Sequence, residues 1–280
     1  MATGSRTGTG PRDRFRAQVR QEVKTAALGQ LAEGGPEALS LNAVAKQLGM
    51  TGPALYRYFA NRDSLLTELV VDAYGDLAAA LSRAAGHEAK HPGGGPHDSD
   101  AGDSTDAGGT TDATRVGGAT DAGRTTGTGT SGAEAPDAVA RLAAIARAYR
   151  AWALAEPHRY RLLFRAPLQG YDAQSDSLVE ASQPAMNVVL EAVSDLAQPD
   201  SAAPEGPAAQ FRQWMERHGI EDVPEAVAAR STILWARLHG LASLEIEGNF
   251  ASMGIDPAAL YDAEVKDFTS TRTYAPRTGE

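Results

Sequence analysis

Between Ser40 and Leu66 the sequence SLNAVAKQLGMTGPALYRYFANRDSLL crowds amide, hydroxyl, aromatic and basic side chains into two short segments and the start of a third. Their types suit contact with duplex DNA. Arg57 is long enough and correctly forked for a bidentate contact to guanine, although a phosphate is the commoner destination of such a side chain. Tyr56 and Tyr58 are long hydroxyl donors suited to phosphate oxygens. Gly52, Pro53 and Ala54 make an unusually small first turn, which brings a helix end close to a groove and puts Ala54 and the preceding Thr51 within reach of a thymine methyl. Asn42 and Arg62 stand at the starts of neighbouring helices, where free backbone N–H groups also favour an anion. The aromatics have a second use as core of a small helical bundle. Phe59 is assigned to that core and Tyr56 to the surface, while Tyr58 is open between the two.

The elements that hold these residues are legible from caps and periodicity. Ser40 is a good N-cap for a helix in which Leu41, Val44, Ala45 and Leu48 recur at i, i+3, i+4 and i+7, and Gly49 supplies a left-handed stop. Thr51 caps the next helix, Gly52 to Phe59, whose Pro53 sits in the first turn where its missing N–H costs nothing. Asn61 caps another, with Asp63 favoured by the helix dipole, running through Leu66, Leu69, Val70, Ala73, Leu77 and Leu81. Ahead of all three, Phe15, Val19, Val23, Ala26 or Ala27, and Leu31 give a helix one core-facing stripe until Gly34-Gly35-Pro36 stops it. Two short helices joined by so tight a turn are a helix-turn-helix, which lays its second helix in the major groove.

Charge agrees with this placement. The 280-residue chain carries a formal charge of -10 from 26 Lys/Arg and 36 Asp/Glu, yet Met1 to Arg62 holds nine basic and four acidic residues, or +5, leaving -15 for the remainder. A basic head that meets an anion is set against an acidic body that does not. The absence of cysteine removes disulfides, thiolate metal sites and cysteine nucleophiles. No signal-peptide core or apolar run of membrane-spanning length occurs, so the expectation is a cytoplasmic protein without a membrane partner.

Residues 1–11, rich in Gly, Thr and Ser, are read as a disordered arm. Residues 12–62 form the DNA-binding head and 63–85 a connecting helix. In 86–135, 13 of 50 residues are Gly and 9 are Thr, which reads as a flexible loop with a root-mean-square span of roughly 40 Å. The six His are scattered, with His87, His91 and His97 in or beside that loop, so no metal site is expected. Periodicity returns over 136–272. One helix carries Val139, Leu142, Ile145, Tyr149 and Trp152 and breaks at Glu156-Pro157; a short one, HRYRLLFRAP, follows. Further helices run through Leu178 to Leu196, Ala208 to His218, Pro224 to near Phe250, and from Asp256-Pro257 through Phe268. A tail occupies 273–280. No strand alternation appears. The fold class is all-α: an N-terminal three-helix helix-turn-helix domain joined by a long helix to a C-terminal helical domain.

AVAKQLGMTGPALYRYFANRDSLL resembles the DNA-binding domain of the TetR/AcrR family of transcriptional regulators, whose hallmark is a short reading helix ending in LYRYF, followed by a polar N-cap and Leu-Leu. The resemblance covers about Phe15 to Leu81 and implies phosphate and base contacts at Asn42, Thr51, Gly52, Pro53, Tyr56, Tyr58 and Arg62; Lys more often stands where Arg62 is. WARLHGLASLE resembles the Trp-x-x-x-His-Gly motif of one class of TetR C-terminal domain, here Trp235, His239 and Gly240. The resemblance implies a homodimeric repressor, released from a double-stranded operator when a small, largely apolar effector occupies the C-terminal domain, with no cofactor.

The residues themselves allow this. Reading two half-sites one helical turn apart needs a two-fold dimer. The long helix Val227 to Ile246 is apolar on two sides and suits either a seam, with Ala236, Gly240 and Ala242 permitting close approach, or a central core position. For an effector pocket the candidates are Tyr149, Trp152, Tyr160, Phe164, Met186, Trp235 and His239, because concave apolar sites use aromatics and a few polar groups. Each has core packing as its alternative, and His239 is either a polar handle or a satisfied core histidine. Two other functions compete: a helical adaptor that binds DNA only nonspecifically, and a helical enzyme using His239 with Glu245 or Glu247, for which nucleophile, oxyanion site and phosphate loop are all lacking. Since the small turn Gly52-Pro53-Ala54 offers few direct base contacts, phosphate clamping by Tyr56, Tyr58 and Arg62 and the spacing within a dimer must supply much of the discrimination.

Overall fold

The computed structural model describes residues 10–87, 135–164, 175–196, 207–220 and 222–270. Residues 1–9 of the arm, most of the Gly/Thr-rich segment with His91 and His97, and the tail lie outside them; Gly10 and Pro11, read with the arm, instead cap and open the first helix. The described residues contain helices and turns but no strand. Among the described residues eleven α-helices follow in order: α1 (Pro11–Gly34), α2 (Leu41–Gln47), α3 (Gly52–Tyr56), α4 (Arg62–Ala84), α5 (Ala135–Ala155), α6 (Pro157–Phe164), α7 (Asp176–Ser194), α8 (Ala208–Arg217), α9 (Glu225–Ile246), α10 (Asn249–Met253) and α11 (Pro257–Ser270).

The head is closed by local chemistry. Ser40 Oγ accepts from the Ala43 N–H at the start of α2, and Gly49 turns the chain at φ 65° after it, a conformation that costs glycine little. Asn61 and Ser64 form a reciprocal capping box on α4, with Ser64 N–H donating to Asn61 Oδ1 at 2.7 Å and Asn61 N–H to Ser64 Oγ at 3.2 Å. Asn61→Ala is therefore expected to lower unfolding free energy by about 1 kcal/mol, read as a lower denaturant midpoint at unchanged slope. Thr51 occupies the N-cap of α3 without a side-chain cap bond. The reading helix is shorter than periodicity suggests: α3 ends at Tyr56, Arg57 and Tyr58 form a turn, and Phe59 follows it.

Among the described residues two large apolar cores form, with a smaller one of Leu190, Met215 and Ala228 beside them, and α4 belongs to both large ones. Its first half, Leu65, Leu66, Leu69 and Val70, packs with Val23, Ala27, Leu31, Leu41, Val44, Leu55 and Phe59 in the head. Its second half, Leu77, Ala78 and Leu81, packs with α5, α7, α9 and α11 in the body, around Leu142, Tyr149, Val189, Leu234 and Tyr261. The head core also takes in Leu162 from α6 and Leu178 from α7.

Three expectations are corrected. Phe15 continues the stripe of α1 by spacing but is 63 % exposed, because α1 starts at Pro11 and its first two turns project beyond the head core. The long C-terminal helix stops at Ile246 rather than near Phe250: Gly248 enters the left-handed region at φ 77° and a separate short α10 follows. Ala242 is fully buried in the chain's own body core, so it is unavailable to a seam, whereas Ala236 is exposed and Gly240 faces open space.

Candidate nucleic-acid interface and effector site

On the head, α3 lies over the core by Leu55, fully buried, and turns the opposite face outward. Pro53, Tyr56 and Arg57 are exposed together, as their i, i+3 and i+4 spacing requires. Tyr56 is 47 % exposed. Neither Tyr56 nor Arg57 makes a hydrogen bond or ion pair with a described residue. The first turns of α2 and α3 meet: a Cβ added to Gly52 would lie 3.3 Å from Asn42 Oδ1, a close contact that the Asn42 amide would have to ease by a few tenths of an ångström. Thr51 is exposed and Ala54 half-buried beside them. Arg62 is half-buried at the opening of α4. Tyr58, left open by the sequence, is half-buried with its ring packed on the head core, and Phe59 beneath it is core. Seven of the nine candidate residues thus gather around the adjoining N-termini of α2 and α3 and the exposed face of α3, with Tyr58 in the turn that follows and Arg62 at the start of α4. Arg20, which pattern reasoning on α1 does not single out, reaches this region as well: its guanidinium donates to the Tyr58 carbonyl at 2.6 Å.

In the body, five of the seven candidate effector residues converge. Tyr149 of α5, Tyr160 and Phe164 of α6, and Trp235 and His239 of α9 form one aromatic cluster. His239 Nδ1 lies 2.9 Å from Tyr160 Oη and 3.3 Å from Tyr149 Oη, and the Tyr160 hydroxyl donates to the His239 carbonyl at 3.1 Å. Phe164 meets the imidazole edge-on at 4.6 Å between centroids, and Tyr149 meets Trp235 in a T-shape at 5.0 Å. Among the described residues, Nε2 of His239 has no hydrogen-bond partner. Trp152 belongs to the same body core with its indole N–H buried and without an acceptor among the described residues. Met186 stands apart: it packs against a separate small core of Leu190, Met215 and Ala228, where α7, α8 and α9 meet. That side of the body carries a groove of about 380 Å³ lined by Gln183, Asn187, Leu190, His218 and Ile220 among others, and no feature of the sequence marks it.

Burial sets the protonation of the cluster. Desolvation pushes the hydroxyls of Tyr149 and Tyr160 above the usual phenol range and pushes His239 below 6.5. The imidazole is therefore neutral at pH 7. Since His239 binds a proton less readily folded than unfolded, its contribution to stability is complete above pH 6.5 and is lost as pH falls from there towards its depressed folded value. The melting temperature is expected to fall between pH 7.5 and pH 5, and His239→Gln should flatten part of that fall; an unaltered profile would contradict the buried neutral ring. Neither acid considered as its catalytic partner is available. Glu245 is held by both Arg150 Nε at 2.7 Å and Nη2 at 2.6 Å, and Glu247 by Arg161 Nε at 3.1 Å.

Comparison with known proteins converges on one family. Residues 25–69 match the family model described as bacterial regulatory proteins, tetR family, and residues 142–268 match that of the tetracyclin repressor-like C-terminal domain. The chain is 30% identical over 264 residues to HTH-type transcriptional regulator Mb1846 of Mycobacterium bovis, covering 92% of this chain and 93% of that one. HTH-type transcriptional regulator Rv1816 of Mycobacterium tuberculosis gives the same identity and coverage. The crystal structure of regulatory protein SCO4313 is similar with a TM-score of 0.63 and 34% identity, over 92% of this chain and 98% of that one. Among the described residues, no helix is long and apolar enough to cross a membrane.

Proposed function

Because the chain belongs to the TetR family of DNA-binding transcriptional regulators, which are not enzymes, we propose that it is a homodimeric repressor released from its operator by a small, largely apolar effector. One observation carries the effector part of this reading. Helix α6 places Tyr160 and Phe164 against His239 in the body and, between them in sequence, Leu162 in the core of the head. A ligand wedged among the aromatics displaces α6, and α6 cannot shift without disturbing the packing that seats α1 and α4. The effector is apolar over most of its surface, with one hydrogen-bonding group that reaches Nε2 of His239. It releases DNA only to the extent that it binds the DNA-incompetent arrangement more tightly.

In this reading residues 12–62 are the DNA-binding head, 63–85 the connecting helix and 136–272 the effector-binding and dimerisation domain. Asn42, Thr51, Gly52, Pro53, Ala54, Tyr56, Arg57, Tyr58 and Arg62 meet the operator. The seam runs along α9 on the face of Ile233, Ala236, Gly240 and Leu244. Ile233 and Leu244 are 42 % and 45 % exposed, apolar surface that a second copy covers by two-fold symmetry. Light scattering should return twice the chain mass. The deciding experiment is a gel shift against a genomic fragment library. Discrete complexes that survive moderate salt and random competitor DNA are expected; only salt-labile, sequence-indifferent binding would overturn the reading in favour of a nonspecific binder.

A further inference from the structure

Operator recognition needs a reading helix held at one angle, and the residue that holds it does not belong to the helix-turn-helix pattern. Arg20 of α1 is half-buried beneath the end of α3. Its guanidinium donates to the Tyr58 carbonyl at 2.6 Å, lies over the ring of Phe59 at 4.6 Å from the centroid, and pairs with Glu68 of α4. One planar fork therefore ties three elements: α1, the chain leaving the reading helix, and α4. The pairing continues along α4, where Glu68, Asp72 and Asp76 stand at i, i+4 and i+8 on one face. Lys24 of α1 meets Asp72 at 2.6 Å, and Arg159 of α6 meets Asp76.

We propose that Arg20, oriented by Glu68, is a positioning residue for operator recognition that sets the angle of the reading helix without touching DNA. Lysine cannot replace it. An ammonium is a point charge that can meet the carboxylate or the carbonyl, but it lacks the plane that covers Phe59 and the fork that serves both oxygens at once. A phosphate contact, by contrast, tolerates Lys, since either cation releases one counterion. The role rests on the reading above that the head binds a specific operator.

The test uses the full chain and an operator duplex enriched by the wild-type protein from a random-sequence pool, with an unselected duplex as comparator. Arg20→Gln, Arg20→Lys and Glu68→Gln are each expected to weaken operator binding by about tenfold or more, while binding to the unselected duplex stays within about twofold and the salt slope is unchanged. Glu68→Gln is the sharpest arm. Removing a negative charge from a DNA-binding head strengthens binding if only charge matters, so a loss reports geometry. The double variant Arg20→Gln/Glu68→Gln should lose no more than the worse single one, because the two act as a unit. Retained binding to the unselected duplex shows that the head is folded in each variant. A salt slope reduced on Arg20→Gln, full rescue by Arg20→Lys, or tighter binding by Glu68→Gln would make Arg20 a phosphate contact and overturn the proposal. Parallel loss on both duplexes would make it a general stabiliser. Failure of the wild-type protein to enrich any sequence would overturn the operator reading itself, and the positioning role with it.

Discussion

Arg57→Ala is expected to abolish operator binding at physiological salt while leaving the dimer and its melting temperature unchanged. Arg57 is exposed at the end of α3 and bonds to no described residue, so truncating it removes nothing that holds the fold. A bidentate contact to guanine discriminates by about 1–3 kcal/mol. Two copies in a dimer double that, which corresponds to an affinity loss on the order of 30-fold to 10⁴-fold. The destination that sequence reasoning left open is then decided by salt. If Arg57 clamps phosphate, the salt slope falls by about two per dimer and all sequences weaken together; if it reads guanine, the slope holds and preference relaxes at one position of each half-site. Tyr56→Phe deletes only a hydroxyl and is expected to act in the same direction more weakly, through a lost charge-assisted hydrogen bond to phosphate. Operator binding unchanged in both variants would refute the placement of the reading surface on α3.

Much of this surface was legible because its determinants are local. A cap residue, a left-handed glycine and an i, i+3, i+4 apolar pattern act within one turn of themselves, so Ser40, Gly49, Leu55 and Asn61 announce the helices of the head directly. The convergence of Tyr149, Tyr160, Phe164, Trp235 and His239 was legible only as a choice of residue types; spacing cannot say that three separate helices bring them to one point. Met186 shows the limit of that choice, since an apolar residue of suitable type on α7 packs towards α8 instead. Phe15 shows another: periodicity reports which face of a helix is apolar, not how far along it a neighbour extends. The partners of charged residues were the least visible. Nothing in the spacing of Arg20 points 38 residues ahead to the carbonyl of Tyr58, because an isolated arginine in a basic segment reads as one more cation.

The division of the chain into a head and a body also conceals a shared core, and its consequence is the second large effect. Leu162 is 3 % exposed and lies in the head core although it belongs to α6, on the far side of the Gly/Thr-rich segment from every helix of the head. Leu162→Ala is expected to cost about 2–5 kcal/mol, the range for truncating a buried leucine where neighbours only partly relax. The loss should fall unevenly. Amides of α1 and the first half of α4 should exchange hydrogen faster, while those of α9, which pack in the body core, keep their protection under conditions of local opening. A residue that merely filled the body would give the opposite pattern. Operator affinity should drop as well, since α1 and α4 are the elements against which α3 is seated, and added effector should release less of what binding remains. Unfolding free energy within about 0.5 kcal/mol of wild type, the usual range for a surface substitution, would mean that α6 does not complete the head. The coupling from His239 to the reading helix would then need another path.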